Sequence, residues 1–284
     1  MLKWKIGDVT VTRVVELEVP GKATWILPDA TPENLLAVKW CHPHFVREDG
    51  NAILSVHALL IESQGEKIIV DTCIGNDKNL PVMKAWHKKQ GGTFLEDLAE
   101  AGFAPDRVGT VLCTHLHVDH VGWNTKLEDG RWTPTFPNAR HLWSRDEYEF
   151  WSKTDQGALQ GVFTESVAPV FDAGLVDLVN GDHAVTDEIQ LEPTPGHTPG
   201  HVSVHIRSRG EEGIITGDLI HHPAQIARPE WRSSADWDGE MGESTRRAFL
   251  ARYADRPVLV IGTHFAAPTA GRLVRDGESY RLDV

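Results

Sequence analysis

The sequence has 284 residues, of which 40% are hydrophobic and 24% are charged. This balance excludes the disordered and fibrous classes, and the length allows one large domain or two small ones. Acidic residues number 41 and basic residues 28, which gives a formal charge of −13. Because such a surface repels phosphate backbones and anionic lipids, we expect neither a nucleic-acid partner nor a membrane partner.

The N-terminus and the cysteines indicate the compartment. The first residues contain no secretory apolar stretch, and no apolar run approaches the ~18 residues that a membrane span needs. Cys41, Cys73 and Cys113 are far apart and form no C-x-x-C pair. They therefore predict buried free thiols in a soluble, cytoplasmic protein.

The first third of the chain has the alternating pattern of β-strands. Strands are predicted over Val9–Val19, Ala52–Glu62 and Lys67–Asp71, and the last two are joined by the hairpin signal Ser63-Gln64-Gly65-Glu66. Between the first two strands, Pro20–Gly50 is predicted to be a long loop. Loops of that length inside a compact domain usually serve function, so we expect it to face the substrate.

The rest of the chain mixes helical and strand patterns. The predicted elements are a helix over Thr93–Ala101, a strand over Val108–Thr114, a helix near Asp146–Trp151, strands over Glu188–Leu191, Val202–Ile206 and Gly213–Thr216, a helix over Ser244–Tyr253, a strand over Val258–Ile261 and a hairpin over Leu273–Leu282. Ser244 is the predicted N-cap of its helix, and Val121–Ser166 is expected to be irregular at first. Strand-rich halves with interspersed helices predict two packed sheets with helices outside, hence one α/β domain over residues 1–284.

The most specific motif is Thr114-His115-Leu116-His117-Val118-Asp119-His120, which follows the apolar strand Val111-Leu112-Cys113. His115 and His117 are two residues apart, so an extended backbone directs both imidazoles to one side. Asp119 and His120 follow where the chain turns beside Gly122. Imidazole and carboxylate groups are ligands for zinc and neighbouring metals. Burying so many of them without a cation would be costly, and the segment therefore predicts a metal site.

Three later segments repeat this arrangement of a strand that ends in a potential ligand. His197 follows the strand Ile189-Gln190-Leu191, Asp218 follows Ile214-Ile215, and His264 follows Val258–Ile261. A glycine beside each ligand permits tight turning and close backbone approach. Strand ends that converge from several parts of a chain are where α/β enzymes commonly assemble their sites.

Taken together and in this order, these motifs resemble the metallo-β-lactamase superfamily, a hydrolase fold built as an αββα sandwich of two mixed β-sheets flanked by helices. The resemblance implies two divalent metal ions, with zinc first and manganese, iron or cobalt as alternatives. It further implies that His115, His117 and His197 hold one ion, that Asp119, His120 and His264 hold the other, and that Asp218 bridges both. Asp71 matches a position that supports the ligands in that family, although a turn aspartate after a strand explains it equally well.

Two metals about 3.5–4 Å apart share a water and lower its pKa toward neutrality. The resulting metal-bridging hydroxide would attack an electrophilic carbonyl or phosphorus centre while a metal stabilises the oxyanion. Asp119 would both bind a metal and orient the hydroxide. The predicted reaction is hydrolysis.

Differences from sister groups narrow the reaction. His117 at the middle of the first motif argues against the oxygen-reducing di-iron members, and Asp218 argues against true β-lactamases. The chain most resembles the quorum-quenching lactonases and the related esterases and organophosphate hydrolases. Those lactonases carry a tyrosine three residues after the bridging aspartate, where this chain has His221. A neutral imidazole could donate a hydrogen bond to the substrate, so His221 is a catalytic candidate.

The expected substrate is a small, largely apolar ester or lactone of the acyl-homoserine-lactone type. The alternatives are a phosphotriester or β-lactam hydrolase, a mononuclear iron dioxygenase, and a metal-binding protein without turnover. Tryptophans in predicted loops would form an apolar wall, and Trp123, His222 and Phe265 are the predicted pocket residues. A homodimer is left open by the resemblance.

Overall fold

The computed structural model describes residues 1–154 and 160–284 of the chain. Its contacts divide the chain into two compact units. The first unit comprises Met1–Glu16 and Val56–Gly181, and the second comprises Leu17–Ser55 and Asp182–Val284. The single domain over the whole chain stays a prediction.

Strands and helices alternate along both units. The strands are β1 (Lys3–Ile6), β2 (Val9–Gly21), β3 (Ala52–Ser63), β4 (Glu66–Val70), β5 (Thr110–Leu112), β6 (Thr125–Glu128), β7 (Arg131–Pro134), β8 (Arg140–Ser144), β9 (Val176–Val179), β10 (Ile189–Pro193), β11 (Val202–Ser208), β12 (Glu211–Ile215), β13 (Val258–Ile261), β14 (Ala270–Asp276) and β15 (Ser279–Asp283). The helices are α1 (Pro32–Ala37), α2 (Phe94–Glu100), α3 (Val118–Val121), α4 (Arg145–Lys153), α5 (Gln160–Val162), α6 (Ala168–Asp172), α7 (Ala224–Ala227) and α8 (Gly239–Tyr253). Single 3₁₀ turns include Gly122–Asn124 and Gly217–Leu219.

The main sheet of the first unit has the order β1-β2-β3-β4-β5-β8-β9. Strands β4, β5, β8 and β9 run parallel, with Val70 beside Leu112 and Leu112 beside Leu142. Their apolar, β-branched residues suit buried parallel strands. Because the carboxyl ends of parallel strands lie at one edge, the residues that follow Val70, Leu112 and Ser144 are brought to that edge.

The sheet of the second unit has the order β10-β11-β12-β13-β14-β15. Only β12 and β13 are parallel neighbours among its described pairs, with Ile215 beside Ile261, so their carboxyl ends meet at one edge. Strand β10 pairs Pro193 with Val202 at the start of β11, which places the connecting loop at the same edge. A buried cluster packs the unit: Ala23, Leu27, Leu35, Phe45, Ile214, Leu219, Ile220, Phe249, Leu250, Val260, Phe265 and Leu273 are among its members.

The predicted N-cap at Ser244 is wrong. Helix α8 begins at Gly239, and the Asp238 side chain caps it by accepting hydrogen bonds from Glu240 N at 3.0 Å and Met241 N at 2.9 Å. Two glycines in the first turns hide this start from propensity reasoning, and the helix backbone at Gly242 lies so close to Gly196 that a Cβ on Gly196 would lie 2.4 Å from Gly242 Cα. The propensity cost of glycine is thus outweighed by a tertiary contact.

Two other segments are more regular than expected. The predicted long loop contains α1, which Thr31 caps by accepting from Asn34 N. The segment expected to be irregular contains the β6–β7 hairpin and β8. These strands have four or five residues each, too few to establish a period in the sequence.

The three cysteines are buried free thiols, as predicted. Cys73 and Cys113 lie in the first unit and Cys41 in the second. Burial raises the pKa of each thiol. Within residues 1–154 and 160–284, no helix combines the length and apolar character needed to cross a bilayer.

Lys78 is a buried cation of the first unit, with 2% of its surface exposed. Its Nζ atom donates to Thr125 Oγ1 at 2.6 Å and lies 3.6 Å from the ring centre of Trp132. Desolvation lowers the pKa of this amine to about 7, although Glu165 and Asp77 act in the opposite direction.

Candidate metal centre

In the first unit, ligand-type residues gather at the carboxyl ends of the parallel strands. Asp71 follows β4, the segment Thr114–His120 follows β5, and Glu147 lies in the first turn of α4 just after β8. Open parallel sheets commonly bind ligands at this edge. The fold therefore explains why these residues lie close together within the unit.

The first motif forms two pairs of potential ligand atoms. His115 Nε2 lies 3.0 Å from His117 Nδ1, and His120 Nε2 lies 3.7 Å from Asp119 Oδ1. The ring centres of His115 and His120 are 4.0 Å apart. Helix α3 begins right after His117, and this turn brings Asp119 and His120 back toward the two earlier histidines.

Carboxylates hold these ligands from behind. Asp71 accepts hydrogen bonds from His120 Nδ1 at 2.9 Å and from Thr114 N at 2.8 Å. Thr114 Oγ1 also lies 3.1 Å from His115 Nδ1. Glu147 accepts from Leu116 N at 3.0 Å, between the two motif histidines. The outward ring nitrogens of His115 and His120 are thus occupied, which fixes the orientations of these two imidazoles.

Glu16 anchors the loops next to the motif. Its buried carboxylate accepts from Ile74 N at 2.8 Å, Gly75 N at 3.2 Å and Trp123 Nε1 at 2.8 Å. Lys89 Nζ lies 3.0 Å from the same carboxylate and supplies the opposite charge. The carboxylate therefore joins the loop after Asp71 to the 3₁₀ turn that follows α3.

In the second unit, Asp218 is the common neighbour of three histidines. Its Oδ1 lies 3.1 Å from His264 Nε2, whereas its Oδ2 lies 3.5 Å from His197 Nε2 and 3.2 Å from His221 Nε2. The Asp218 side chain is 5% exposed. One carboxylate thus presents its two oxygens to two different groups of imidazoles, which is the arrangement expected of a bridging ligand.

The opposite nitrogens of these histidines are also occupied. His197 Nδ1 donates to Asp236 Oδ1 at 2.9 Å, and His264 Nδ1 donates to the Ser55 carbonyl at 2.9 Å. His201 Nε2 accepts from Asp218 N at 2.8 Å, so it holds the backbone of the bridging residue. Burial raises the pKa of Asp236, which opposes its ionised form, while hydrogen bonding from Ser233 N favours that form.

These donor sets fit divalent metals. Imidazole nitrogen and carboxylate oxygen are the ligands of zinc and of manganese, iron or cobalt, and a carboxylate or carbonyl partner behind the ring is typical of metal-binding histidines. Within the second unit, ligand atoms of His197, Asp218 and His221 lie within 4.8 Å of one another. The residues therefore suit the implied metals.

The predicted pocket residues are well packed. Trp123 is 7% exposed, and its ring stacks on Phe94 at 6.0 Å. Next to it, a Cβ on Gly122 would lie 1.8 Å from the Ile74 carbonyl oxygen, so only glycine fits there. The role of Trp123 in a pocket stays a prediction.

His222 and Phe265 lie in the interior of the second unit. His222 Nε2 donates to the Phe45 carbonyl at 2.9 Å, its Nδ1 accepts from Ala224 N at 3.1 Å, and burial lowers its pKa to about 4. Phe265 is fully buried, with its ring centre 6.2 Å from that of Phe45. Their proposed contacts with substrate also stay predictions.

The supporting residues that sequence reasoning missed include Asp236, Glu147 and Arg246. Arg246 is 1% exposed and donates to the carbonyls of Leu219, Pro229 and Trp231, each at 2.9 Å, which fixes the chain after Asp218. The sequence signal available for Asp236 was its position two residues before Asp238, since the two carboxylates precede a helix. Glu147 and Arg246 carry no local signal, because their partners are distant in sequence.

The chain belongs to the metallo-β-lactamase superfamily, whose family model matches residues 52–264. The family prediction is confirmed, and so is the predicted fold, with mixed β-sheets and flanking helices.

Among curated relatives, the N-acyl homoserine lactonase AiiA of Bacillus thuringiensis subsp. kurstaki is 28% identical over 178 residues. That alignment covers 57% of this chain and 62% of the lactonase, less than two thirds of its length. Two solved structures share the fold with a TM-score of 0.79. AidC, a dizinc quorum-quenching lactonase in complex with a product, is 21% identical, and the match covers 99% of this chain and 95% of AidC. The hydrolase AbOPH is 25% identical, with 100% and 97% covered. These relatives agree with the prediction of a metal-dependent hydrolase.

Proposed function

We propose that the chain is a dinuclear metal-dependent hydrolase that acts on small, largely apolar esters or lactones. Its metal ligands are proposed to be the seven residues of the family pattern: His115, His117, Asp119, His120, His197, Asp218 and His264. Zinc is the first candidate. A homodimer and a cytoplasmic location remain predictions from the sequence.

The observation that carries the proposal is the placement of the Asp218 carboxylate. Its two oxygens lie 3.1–3.5 Å from imidazole nitrogens of different histidines. Two imidazoles facing one carboxylate could instead form plain ion pairs. However, His197 and His264 each direct their other nitrogen to a hydrogen-bond acceptor, which is the usual arrangement for a metal-binding imidazole.

Asp119 is the proposed catalytic carboxylate. Its side chain is 17% exposed, whereas His120 beside it is fully buried, so Asp119 is the more accessible of the two. When bound, the metals would lower the pKa of a shared water and polarise the carbonyl that is attacked. Asp119 would orient that water and accept its proton, a role that contributes about 10²–10⁴-fold to rate.

Partly exposed aromatic side chains support an apolar substrate. Trp237 follows Asp236 directly, its N atom donates to the His197 carbonyl at 2.9 Å, and its indole is 51% exposed. In the first unit, the Trp151 ring lies 5.3 Å from the His117 ring. Aromatic surface beside metal ligands would bind an acyl or aryl group. The lactonase relatives favour a lactone over the other esters.

The proposal is tested by metal analysis and a substrate panel. We expect close to two metals per chain and activity that chelators abolish and added metal restores. Lactones should be hydrolysed faster than aryl esters, phosphotriesters and β-lactams. Asp119→Ala should lower kcat about 10²-fold or more without a matching loss of stability. The control Glu149→Ala, which removes an exposed carboxylate paired with Lys153, should retain full activity. A folded protein whose hydrolysis ignores chelators would contradict the proposal.

A further inference from the structure

His221 occupies a buried position that its hydrogen bonds do not explain. Its side chain is 4% exposed, and among residues 1–154 and 160–284 no hydrogen-bond partner is found for either ring nitrogen. A buried imidazole loses its hydrogen bonds to water, and if no protein group replaces them, this costs about 1–3 kcal/mol. The side chain therefore needs another interaction at this position.

The direction of the Nε2 atom of His221 identifies that interaction. It lies 3.2 Å from Asp218 Oδ2, yet the contact fails the directional requirement of a hydrogen bond. His197 Nε2 lies 3.5 Å from the same oxygen. Nitrogen and oxygen ligands about 2.0–2.1 Å from one tetrahedral ion lie about 3.3 Å from each other. The two nitrogen–oxygen distances, 3.2 and 3.5 Å, match this ligand-to-ligand distance. All three ligand atoms lie within 4.8 Å of one another.

The backbone around His221 is held rigidly. The Gln225 Oε1 atom accepts from His221 N at 2.7 Å, and the Gln225 Nε2 atom donates to the Trp231 carbonyl at 2.8 Å. The His221 ring also contacts the His197 ring edge to face, with centres 4.8 Å apart. Since His201 holds the backbone of Asp218, hydrogen bonds and ring contacts fix the positions of His197, Asp218 and His221, as a metal site requires.

We propose that His221 is a metal ligand, which binds the ion held by His197 and Asp218 Oδ2. This inference rests on the proposed function, because it assumes that those two residues bind a metal. It replaces the predicted role of His221 as a hydrogen-bond donor to the substrate. It also distinguishes this chain from the lactonases that it resembles, where a tyrosine stands at the same offset from the bridging aspartate.

The test compares the wild type with His221→Gln and His221→Ala. The control is His205→Gln, which changes another buried histidine of the second unit whose Nε2 lies 3.3 Å from Glu212. Each protein is loaded with cobalt, and hyperfine-shifted, exchangeable imidazole N–H resonances are counted by NMR. Metal affinity is measured by competition with a chelating dye. The glutamine variant keeps a polar side chain of similar volume, and circular dichroism monitors folding.

We expect the His221 variants to lose one shifted imidazole resonance and to bind one of two metals at least about tenfold more weakly, since even outer-sphere changes have effects of that size. The control should match the wild type. If His221→Gln folds and keeps every resonance and both affinities, His221 is not a ligand, although the proposed function stands. If the wild type itself binds no cobalt, the proposed function fails instead. Should both variants fail to fold, the number of shifted imidazole resonances in the wild type decides. The seven-ligand set supplies five histidines, so six resonances would support His221 as a ligand and five would contradict it.

Discussion

Asp236→Ala removes a carboxylate that lies behind a proposed metal ligand without itself belonging to the ligand set. Asp236 Oδ1 accepts from His197 Nδ1 at 2.9 Å, and Oδ2 accepts from Ser233 N at 2.9 Å. The Asp236 side chain is 3% exposed, so water cannot readily replace either contact. The substitution should free the imidazole to rotate away from Asp218 and should leave Ser233 N without its acceptor.

The expected magnitude follows from these two contacts. Loss of an outer partner of a metal-binding histidine costs about 10–100-fold in metal affinity, which is about 1.4–2.7 kcal/mol. Because Asp236 is so well buried, we expect the upper half of that range. The unsatisfied N–H of Ser233 should separately lower the free energy of unfolding by about 1–3 kcal/mol. Asp236→Asn keeps an oxygen acceptor, and its loss of metal affinity should stay below about tenfold.

Metal affinity is measured by dye competition and stability by urea unfolding of the metal-free proteins. The matched control is Asp238→Ala, two residues away, which removes the cap of α8 but no contact with a histidine. It should lose about 1 kcal/mol of stability and keep its metal affinity. If Asp236→Ala binds metal as tightly as the control does, the carboxylate does not position His197, and the reasoning is refuted.

Further predictions concern the first unit. Glu16→Ala should lower the free energy of unfolding by about 3–5 kcal/mol, since it leaves three N–H donors without their acceptor and the partly exposed Lys89 with only its Asn76 contact, whereas Glu16→Gln should cost less in the same urea titration. Gly122→Ala forces a methyl group into a backbone carbonyl and should reduce thermal stability sharply. The control Gly21→Ala, in the second unit, has open space around it and should leave the melting temperature within error. Lys78, with a pKa of about 7 in the folded chain and about 10.4 when unfolded, binds its proton more strongly in the unfolded state between those values. Its contribution to stability should therefore rise with pH across that window and be lost as pH falls through 7. Denaturant titration of Lys78→Met and of the wild type from pH 6 to 10 should show that the difference between their free energies of unfolding changes in this way. A difference that stays constant with pH would contradict the prediction.

The strand ends that carry the proposed metal ligands were predictable from the sequence because the signals are local. A buried strand followed by H-x-H-x-D-H fixes both the edge of the sheet and the side chains presented there. The same logic led to His197, Asp218 and His264, since each follows an apolar run and lies within two residues of a glycine. Short-range pattern and chemistry agree at all these positions, which is why the sequence was informative there.

The supporting contacts were not predictable, because they depend on tertiary packing. Asp236 meets His197 across 39 residues of sequence, and Glu16 meets Trp123 across 107. Helix α8 begins at Gly239, before its predicted cap, and its backbone at Gly242 packs so closely on Gly196 that a Cβ on Gly196 would lie 2.4 Å from Gly242 Cα. Propensity and spacing are blind to such constraints, since the residues that satisfy each other are not neighbours in the chain.

The buried thiols give each unit a reporter of its own opening. A thiol reagent needs an exposed thiolate, and burial together with the raised pKa values suppresses both conditions in the native chain. Alkylation at Cys41 would then time the exposure of the second unit, and alkylation at Cys73 or Cys113 that of the first. Mass spectrometry of the labelled peptides during a chelator challenge would reveal which unit opens first when the proposed metals are withdrawn.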